Sequence, residues 1–382
     1  MSKVNHYDVV VLGLGGMGSA ALYQLAKRGI SACGIEQHHV AHDLGSSHGE
    51  VRVIRKAYHE HPDYVPLLHR AYDLWAETEA EAGQSLMTAC GLVLAGAPDS
   101  ETIRGLDECY ARHDLPRERL DRASLRERVP QMHVPEDFEA FFDPIGGYLR
   151  IERCVQAHLK LAGDHGAEIR LHERAISWTA DTGGVSVATD KGELRASALI
   201  ITMGPWAREV LLELGIQSKV LRKVQLWYDS PNIERFREGE LPIFLVERDY
   251  GIFYGFPSID DAGLKVAEHS GGEIVDVPDT VDRSLRETDE APVLRFLGDT
   301  FPELRPVLRR FSVCMYTMTP DAHFVLDTHP EYSNVVIGAG FSGHGFKFAS
   351  VVGEVLADLA LEGQTRNPIG FLRLDRFNGV KS

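Results

Sequence analysis

The chain has 382 residues, 44% hydrophobic and 25% charged, with a formal net charge of −16. That length exceeds one ordinary hydrophobic core, so two domains or one large composite domain are expected. The acidic surplus argues against nucleic acid or an anionic membrane surface as a partner.

Five cysteines, an odd number with no CxxC pair, read as a reduced cytoplasmic protein without a disulfide framework or zinc site. No charged-then-apolar leader precedes the first strand and no apolar run reaches ~18 residues, so neither secretion nor a membrane span is expected.

Residues 7–12 (Tyr-Asp-Val-Val-Val-Leu) form an apolar run of the kind buried in a parallel sheet. A glycine turn follows, residues 20–28 are helical by composition, and Gly29 stops that helix. Residues 31–35 read as a second strand ending at Glu36, completing a βαβ unit. His48, Arg52 and Arg55 stand at i, i+4 and i+7, so a helix there would put all three on one face. Residues 64–82 carry Val65, Leu68, Tyr72 and Trp75 at helical spacing. The charge-dense stretch 99–139 is expected to form surface helices, and 151–163 another helix. Residues 168–204 are rich in strand signals, with turns at Gly183-Gly184 and Lys191-Gly192.

Alternation over 224–228, 243–247 and 252–256 favours an antiparallel sheet, hence a second, substrate-facing domain. Residues 271–310 read as loop and helix, and 311–316 as a further strand. Near the C-terminus an apolar run at 335–337 enters a glycine-rich turn, then a helix from Phe346 to about Leu361. Its amides suit negative charge, while Lys347 in the first turn gains nothing from the helix dipole and implies an anion nearby.

Gly13-Leu14-Gly15-Gly16-Met17-Gly18 fits GxGxxG between a strand and a helix, with Glu36 eighteen residues past Gly18. The first glycine permits the tight turn, the second admits a pyrophosphate, and the third lets helix pack on strand. Glu36 would accept hydrogen bonds from a ribose. In this context the motif points to a dinucleotide without separating FAD from NAD. Glycine turns at both termini suggest one cofactor gripped by both. The other candidates are ambiguous by spacing alone. His48, Arg52 and Arg55 fit a solvated basic face, although the Gly/Ser-rich lead-in would aim them at the nucleotide. Lys265 and His269 would share a face if extended. Cys314, in the strand-like run 312–316, reads as a small buried hydrophobe.

The ordered set of motifs resembles the monomeric sarcosine oxidase and N-methyltryptophan oxidase family of flavoproteins over nearly the whole length. They are Gly13 to Gly18, Ser47-His48-Gly49-Glu50-Val51-Arg52-Val53-Ile54-Arg55-Lys56-Ala57-Tyr58, Tyr254-Gly255-Phe256-Pro257, Gly263-Leu264-Lys265 with His269, Val313-Cys314-Met315-Tyr316, and Phe341-Ser342-Gly343-His344-Gly345-Phe346-Lys347-Phe348. The resemblance implies FAD, joined by a thioether from Cys314 to its 8α-methyl carbon. It implies cofactor contacts from Gly13, Gly15, Gly16, Met17, Gly18, Glu36, Ser46, Ser47, His48 and Arg52, and from Gly340, Gly343, His344, Gly345, Phe346 and Lys347.

Arg55 and Lys347 match the pair that binds the substrate carboxylate. Tyr254, Tyr316 and His269 match pocket-lining residues, and Lys265 matches a lysine that faces the flavin through water where oxygen is reduced. These roles make physical sense. A carboxylate in a partly dry pocket needs paired cations, a fixed ammonium stabilises superoxide-like charge, and neighbouring cations favour a thiolate. The chain departs from the family pattern at Ser47, where Ser-His-His-Gly would have histidine, at Val51 for a usual threonine, and at Leu245 for methionine in the pocket. These changes bear on substrate size.

The expected fold is α/β (α+β), a Rossmann-like FAD-binding domain from 1–85, 145–220 and 320–382 with an antiparallel-sheet substrate domain from 86–144 and 221–319. The expected activity is oxidation of a secondary N-methyl amino acid by a cytoplasmic monomer, using oxygen and no metal. Products would be the free amino acid, formaldehyde and hydrogen peroxide. Alternatives are a bulkier or cyclic substrate (N-methyltryptophan, pipecolate, proline), a dehydrogenase with another electron acceptor, and a non-catalytic flavin- or nucleotide-binding regulator.

Overall fold

The computed structural model describes residues 5–377. Its first sheet is built on Asn5–Leu12, which pairs in parallel with Ala32–Glu36 on one side and Gly192–Ile201 on the other. Glu168–Leu171 extends the parallel run at one edge, and Val335–Ala339 pairs in parallel with Gly192–Ile201. Every residue of Ala32–Glu36 and of Val335–Ala339 is buried, as strands covered on both faces require. Helix Gly16–Lys27 packs against both Ile151–Asp164 and Ala349–Glu362, so the helices that follow the two terminal strands lie side by side.

The second sheet has nine strands and includes Lys219–Asp229, Ile243–Arg248, Gly251–Phe256, Leu264–Glu268 and Val307–Met318. Most neighbours are antiparallel, and Ile243–Arg248 runs parallel to Leu92–Gly96. Alternation divides its residues between two cores. Leu245, Tyr254, Phe256 and Ala267 face the main core. Phe244, Val246, Phe253, Leu264 and Val266 pack away from it, against Val293, Phe296 and Leu297 of helix Glu287–Thr300. A slip of one residue would exchange the two sets, so burial on both faces pins the register. That register aims the pocket side chains inward.

Several sequence expectations are corrected. Residues 48–55 form no helix; Val51–Ile54 is a strand paired antiparallel with Gly147–Arg150. Val51, Val53 and Ile54 are β-branched, and Glu50 stands in the left-handed region at φ 68°, which breaks any helix there. The first helix starts at Gly16, so the second half of the glycine motif lies within its first turn. The stretch 99–139 holds helices Glu101–Arg112 and Arg122–Arg128 together with strand Glu118–Leu120 and the start of Glu139–Asp143. The C-terminal helix is preceded by a tighter turn, Phe346–Phe348, and begins at Ala349.

Candidate active site

A cavity of about 1480 Å³ runs between the two sheets, above the ordinary range of about 300–1,000 Å³ for a drug-sized ligand. Its walls include the Gly13–Met17 turn, Glu36, Ser46 and Ser47, Arg52 and Arg55, and the Gly340–Lys347 segment. Gly13, Gly16 and Gly18 leave no free room for a side chain. A Cβ on Gly18 would lie 1.8 Å from the Gly13 carbonyl oxygen, and one on Gly16 would lie 2.9 Å from the Phe346 ring. The second contact brings the N- and C-terminal turns together at one end of the cavity. Ser47 Oγ accepts from Gly16 N at 3.0 Å. Glu36 accepts from the backbone N–H of Leu14 (2.9 Å) and His38 (3.0 Å). Burial alone would raise its carboxyl, but His42 and these N–H groups outweigh it and hold the group below its ordinary value. A charged carboxylate beside a bare-backbone turn fits the ribose and pyrophosphate of a dinucleotide, and the cavity has room for a small substrate besides.

Arg52 binds the next group of residues together. Its guanidinium donates to Val51 O (3.1 Å), Gln225 Oε1 (3.1 Å) and Ser46 O (3.4 Å), and lies 3.5 Å from Cys314 Sγ. Ser46 Oγ donates to Met315 O at 2.6 Å, and the His48 ring bridges Gly45 O and Ser312 Oγ. Cys314 is 1% exposed, and burial by itself would raise its thiol. His48 and Arg52 outweigh burial and pull it down to about 6, so most of it is thiolate at neutral pH. The other four cysteines behave oppositely. Burial pushes Cys33 and Cys90 up to about 12 and raises Cys109 and Cys154.

Two cations sit around the Tyr58 ring, with the Arg55 guanidinium 4.5 Å and Lys347 Nζ 5.1 Å from its centroid. Arg55 donates to Ala57 O (2.6 Å) and to both oxygens of Glu60 (2.8 and 2.7 Å). Lys347 Nζ donates to His344 O (2.7 Å) and Tyr58 OH (3.4 Å). Burial, then the Arg55 charge, brings Lys347 down to about 7. His344 spends both ring nitrogens on Tyr58 OH (2.6 Å) and Ala322 O (2.9 Å).

Leu245, Tyr254, His269 and Tyr316 line the cavity nearby. His269 Nδ1 is 3.4 Å from Tyr316 OH, and burial, then Lys223, lowers the ring to about 4, so it is neutral at physiological pH. Lys223 donates to the carbonyls of His269, Ser270 and Gly271, which clamps the turn that carries His269. Lys265 is fully enclosed and donates to Gly49 O (2.6 Å) and Val51 O (2.9 Å).

Of the residues expected at the site, Gly18, His48, Lys265 and Cys314 stand behind the cavity wall; the others line it. The sequence reading missed Glu60, Lys223, Gln225 and Glu152. Glu60 stands five residues past Arg55, a local signal that could have been weighed. The other three meet the site only through strand pairing or long-range contact. Among the described residues no His, Cys, Asp and Glu cluster suits a metal ion, and no helix is long and apolar enough to cross a membrane.

The family described as FAD dependent oxidoreductase matches residues 8–359. The chain is 41% identical to the monomeric sarcosine oxidase of Streptomyces avermitilis, covering 95% of this chain and 96% of that one. It is 35% identical to the N-methyl-L-tryptophan oxidase of Yersinia pestis, covering 97% and 99%. Its fold resembles that of NikD, an unusual amino acid oxidase essential for nikkomycin biosynthesis, with TM-score 0.86, 26% identity and coverage of 97% and 98%.

Proposed function

The chain belongs to the FAD dependent oxidoreductase family, and on that premise we propose that it oxidises secondary N-methyl amino acids of the sarcosine type. The products are the free amino acid, formaldehyde and hydrogen peroxide. One observation carries this reading: two buried cations, Arg55 and Lys347, line the same dinucleotide-sized cavity as Tyr254, His269 and Tyr316. FAD, when bound, supplies the two-electron acceptor for amine oxidation.

The chain's residues do the rest. Arg55, held by Glu60, offers its remaining N–H donors and Lys347 a point charge to the substrate carboxylate. Binding an anion there favours the protonated form of Lys347, which stands near its midpoint at neutral pH. Tyr254, Tyr316 and neutral His269 wall the pocket without adding charge, so the amine is held in its uncharged, oxidisable form and water is excluded. Lys265 behind the wall and Arg52 in it hold positive charge where oxygen reduction develops negative charge. Cys314 is the proposed attachment point, whose thiolate would hold FAD at the 8α carbon. Closing that thioether would release one methyl proton and two electrons, with oxygen as the oxidant that takes up the electrons.

The segments that build the two large sheets support the proposed domain division, while Met87–Ala89 pairs across it with Gly147–Arg150. The Streptomyces relative's name supports a monomer, and five unpaired thiols support a reducing, cytoplasmic location. Anaerobic mixing with sarcosine, N-methyltryptophan, pipecolate and proline tests the substrate class. Rapid bleaching of the flavin spectrum by sarcosine, followed by stoichiometric peroxide on admitting air, is expected. Bleaching by pipecolate or proline alone would move the assignment to a cyclic substrate, and bleaching without peroxide would make the chain a dehydrogenase.

A further inference from the structure

Lys265 occupies an electrostatically costly position. The residue is 1% exposed, and the Val51 carbonyl that its ammonium bonds at 2.9 Å also accepts from Arg52 at 3.1 Å. Two cations therefore converge on one oxygen, while the Trp227 and Phe256 rings stand 5.0 and 5.1 Å from Nζ. Burial, then the Arg52 charge, pulls Lys265 well below its ordinary value. Its hydrogen bonds go to carbonyls, and no carboxylate forms an ion pair with it among the described residues.

The compensating charge lies across a peptide group. Glu152, in the first turn of helix Ile151–Asp164, accepts from Gly49 N at 2.7 Å and from Glu50 N at 3.1 Å through each oxygen. The Gly49 carbonyl and the Glu50 N–H belong to one peptide unit. Its C=O points at the Lys265 ammonium and its N–H at the Glu152 carboxylate, so one dipole is clamped between opposite charges and polarised by both. The clamp holds a strained turn: Glu50 is non-glycine at φ 68°, and Ile151 N fixes its carbonyl at 2.8 Å. The remaining charged groups facing Lys265 are Arg52, the Cys314 thiolate and Glu50. Glu50 is itself paired with Arg310, which lies 3.9 Å over the Trp227 ring.

We propose that Glu152 is a positioning residue for Lys265: through the Gly49–Glu50 peptide it aims the lysine's carbonyl acceptors and supplies the negative charge that keeps the ammonium charged for the oxygen reaction. This rests on the oxidase reading for Lys265's role. A competing view makes Glu152 only a helix-start acid, favourable to the dipole. That view requires lost stability on mutation and an unmoved Lys265.

The test uses FAD-loaded enzyme carrying E152Q, E152D, K265M or E152Q with K265M. Three measurements are made: the rate of oxygen reaction of substrate-reduced enzyme against pH, the anaerobic reduction rate, and the titration of Lys265 by NMR of ε-13C-lysine. K265M identifies the Lys265 resonance. In E152Q the oxygen rate at pH 8 is expected to fall about tenfold, with the basic limb of its profile and the Lys265 titration moving about one pH unit lower, the equivalent shift. Anaerobic reduction should stay within about twofold, E152D should recover most of the loss, and E152Q should add nothing to K265M, as residues acting in series require. An unmoved Lys265 titration and pH profile in E152Q, whatever the stability, overturns the proposal. Should E152Q fail to fold, the Lys265 titration in E152D decides the matter by the same criterion. An oxygen step unaffected by K265M, with the Lys265 titration still shifted by E152Q, sinks the oxygen role of Lys265 and leaves the positioning link standing.

Discussion

Replacing Lys347 with methionine keeps the apolar stem and deletes the charge, and its effects on stability and binding should have opposite signs. The lysine is 6% exposed, and its pKa falls from 10.5 to about 7 through burial and the neighbouring Arg55. The native state therefore binds this proton less tightly than the unfolded chain. Between pH 7 and 10.5 the unfolded state holds more protons, so wild-type stability rises with pH across that window. Below pH 7 the charged lysine costs the fold roughly 5 kcal/mol, at 1.36 kcal/mol per pH unit. In K347M the His344 carbonyl loses its donor, which offsets ~1–3 kcal/mol of that gain. The variant should thus be more stable than wild type by about 2–4 kcal/mol at pH 6, with the advantage gone by about pH 10.

Carboxylate binding should move the other way. Loss of one charge-assisted hydrogen bond, ~1.5–3 kcal/mol, predicts about 10- to 150-fold weaker binding. Urea unfolding at pH 6, 8 and 10, with spectral titration of an inert carboxylate analogue into flavin-loaded protein, measures both. Unchanged carboxylate affinity, or a stability difference that ignores pH, would refute the reasoning.

Three further outcomes are expected. Cys314→Ala should release all its flavin on acid precipitation, and in the wild type attachment to added FAD should slow below about pH 6, where the Cys314 thiolate protonates; acid-stable flavin in the variant would exclude that attachment point. Glu60→Gln frees the Arg55 fork, so carboxylate analogues should bind more tightly while stability drops ~1–3 kcal/mol from the broken charge-assisted contact; weaker analogue binding would show that Glu60 orients Arg55 for the ligand. Gly18→Ala forces a Cβ to 1.8 Å from the Gly13 carbonyl oxygen, so flavin content should collapse; normal flavin content with native circular dichroism would disprove the packing argument.

How much was legible depended on the range of the interaction. The strand–glycine turn–helix unit at residues 5–27 could be read because steric rules for a tight turn act within a few residues. Alternation through Leu245, Tyr254 and Lys265 could be read for the same reason, since period two states which residues share a face. The 48–55 segment misled because Arg52 and Arg55 suit helical spacing, while the partner strand that decides the matter, Gly147–Arg150, lies about a hundred residues away. Cys314 is the sharpest case. Nothing in its neighbours along the chain separates it from the four inert cysteines. Its low pKa comes from His48 and Arg52, brought more than 260 residues along the chain to its side.

By itself the sequence determined the βαβ turn, the inward face of the antiparallel strands and, through its ordered motifs, the family. These follow from backbone sterics and side-chain periodicity, which are local. Only the tertiary structure decided the charge states: a neutral His269, a half-charged Lys347, a thiolate at Cys314, and a Lys265 balanced against Glu152 through a peptide bond. Those depend on desolvation and on charges a few ångströms away, and both come into being only when distant segments close around one cavity.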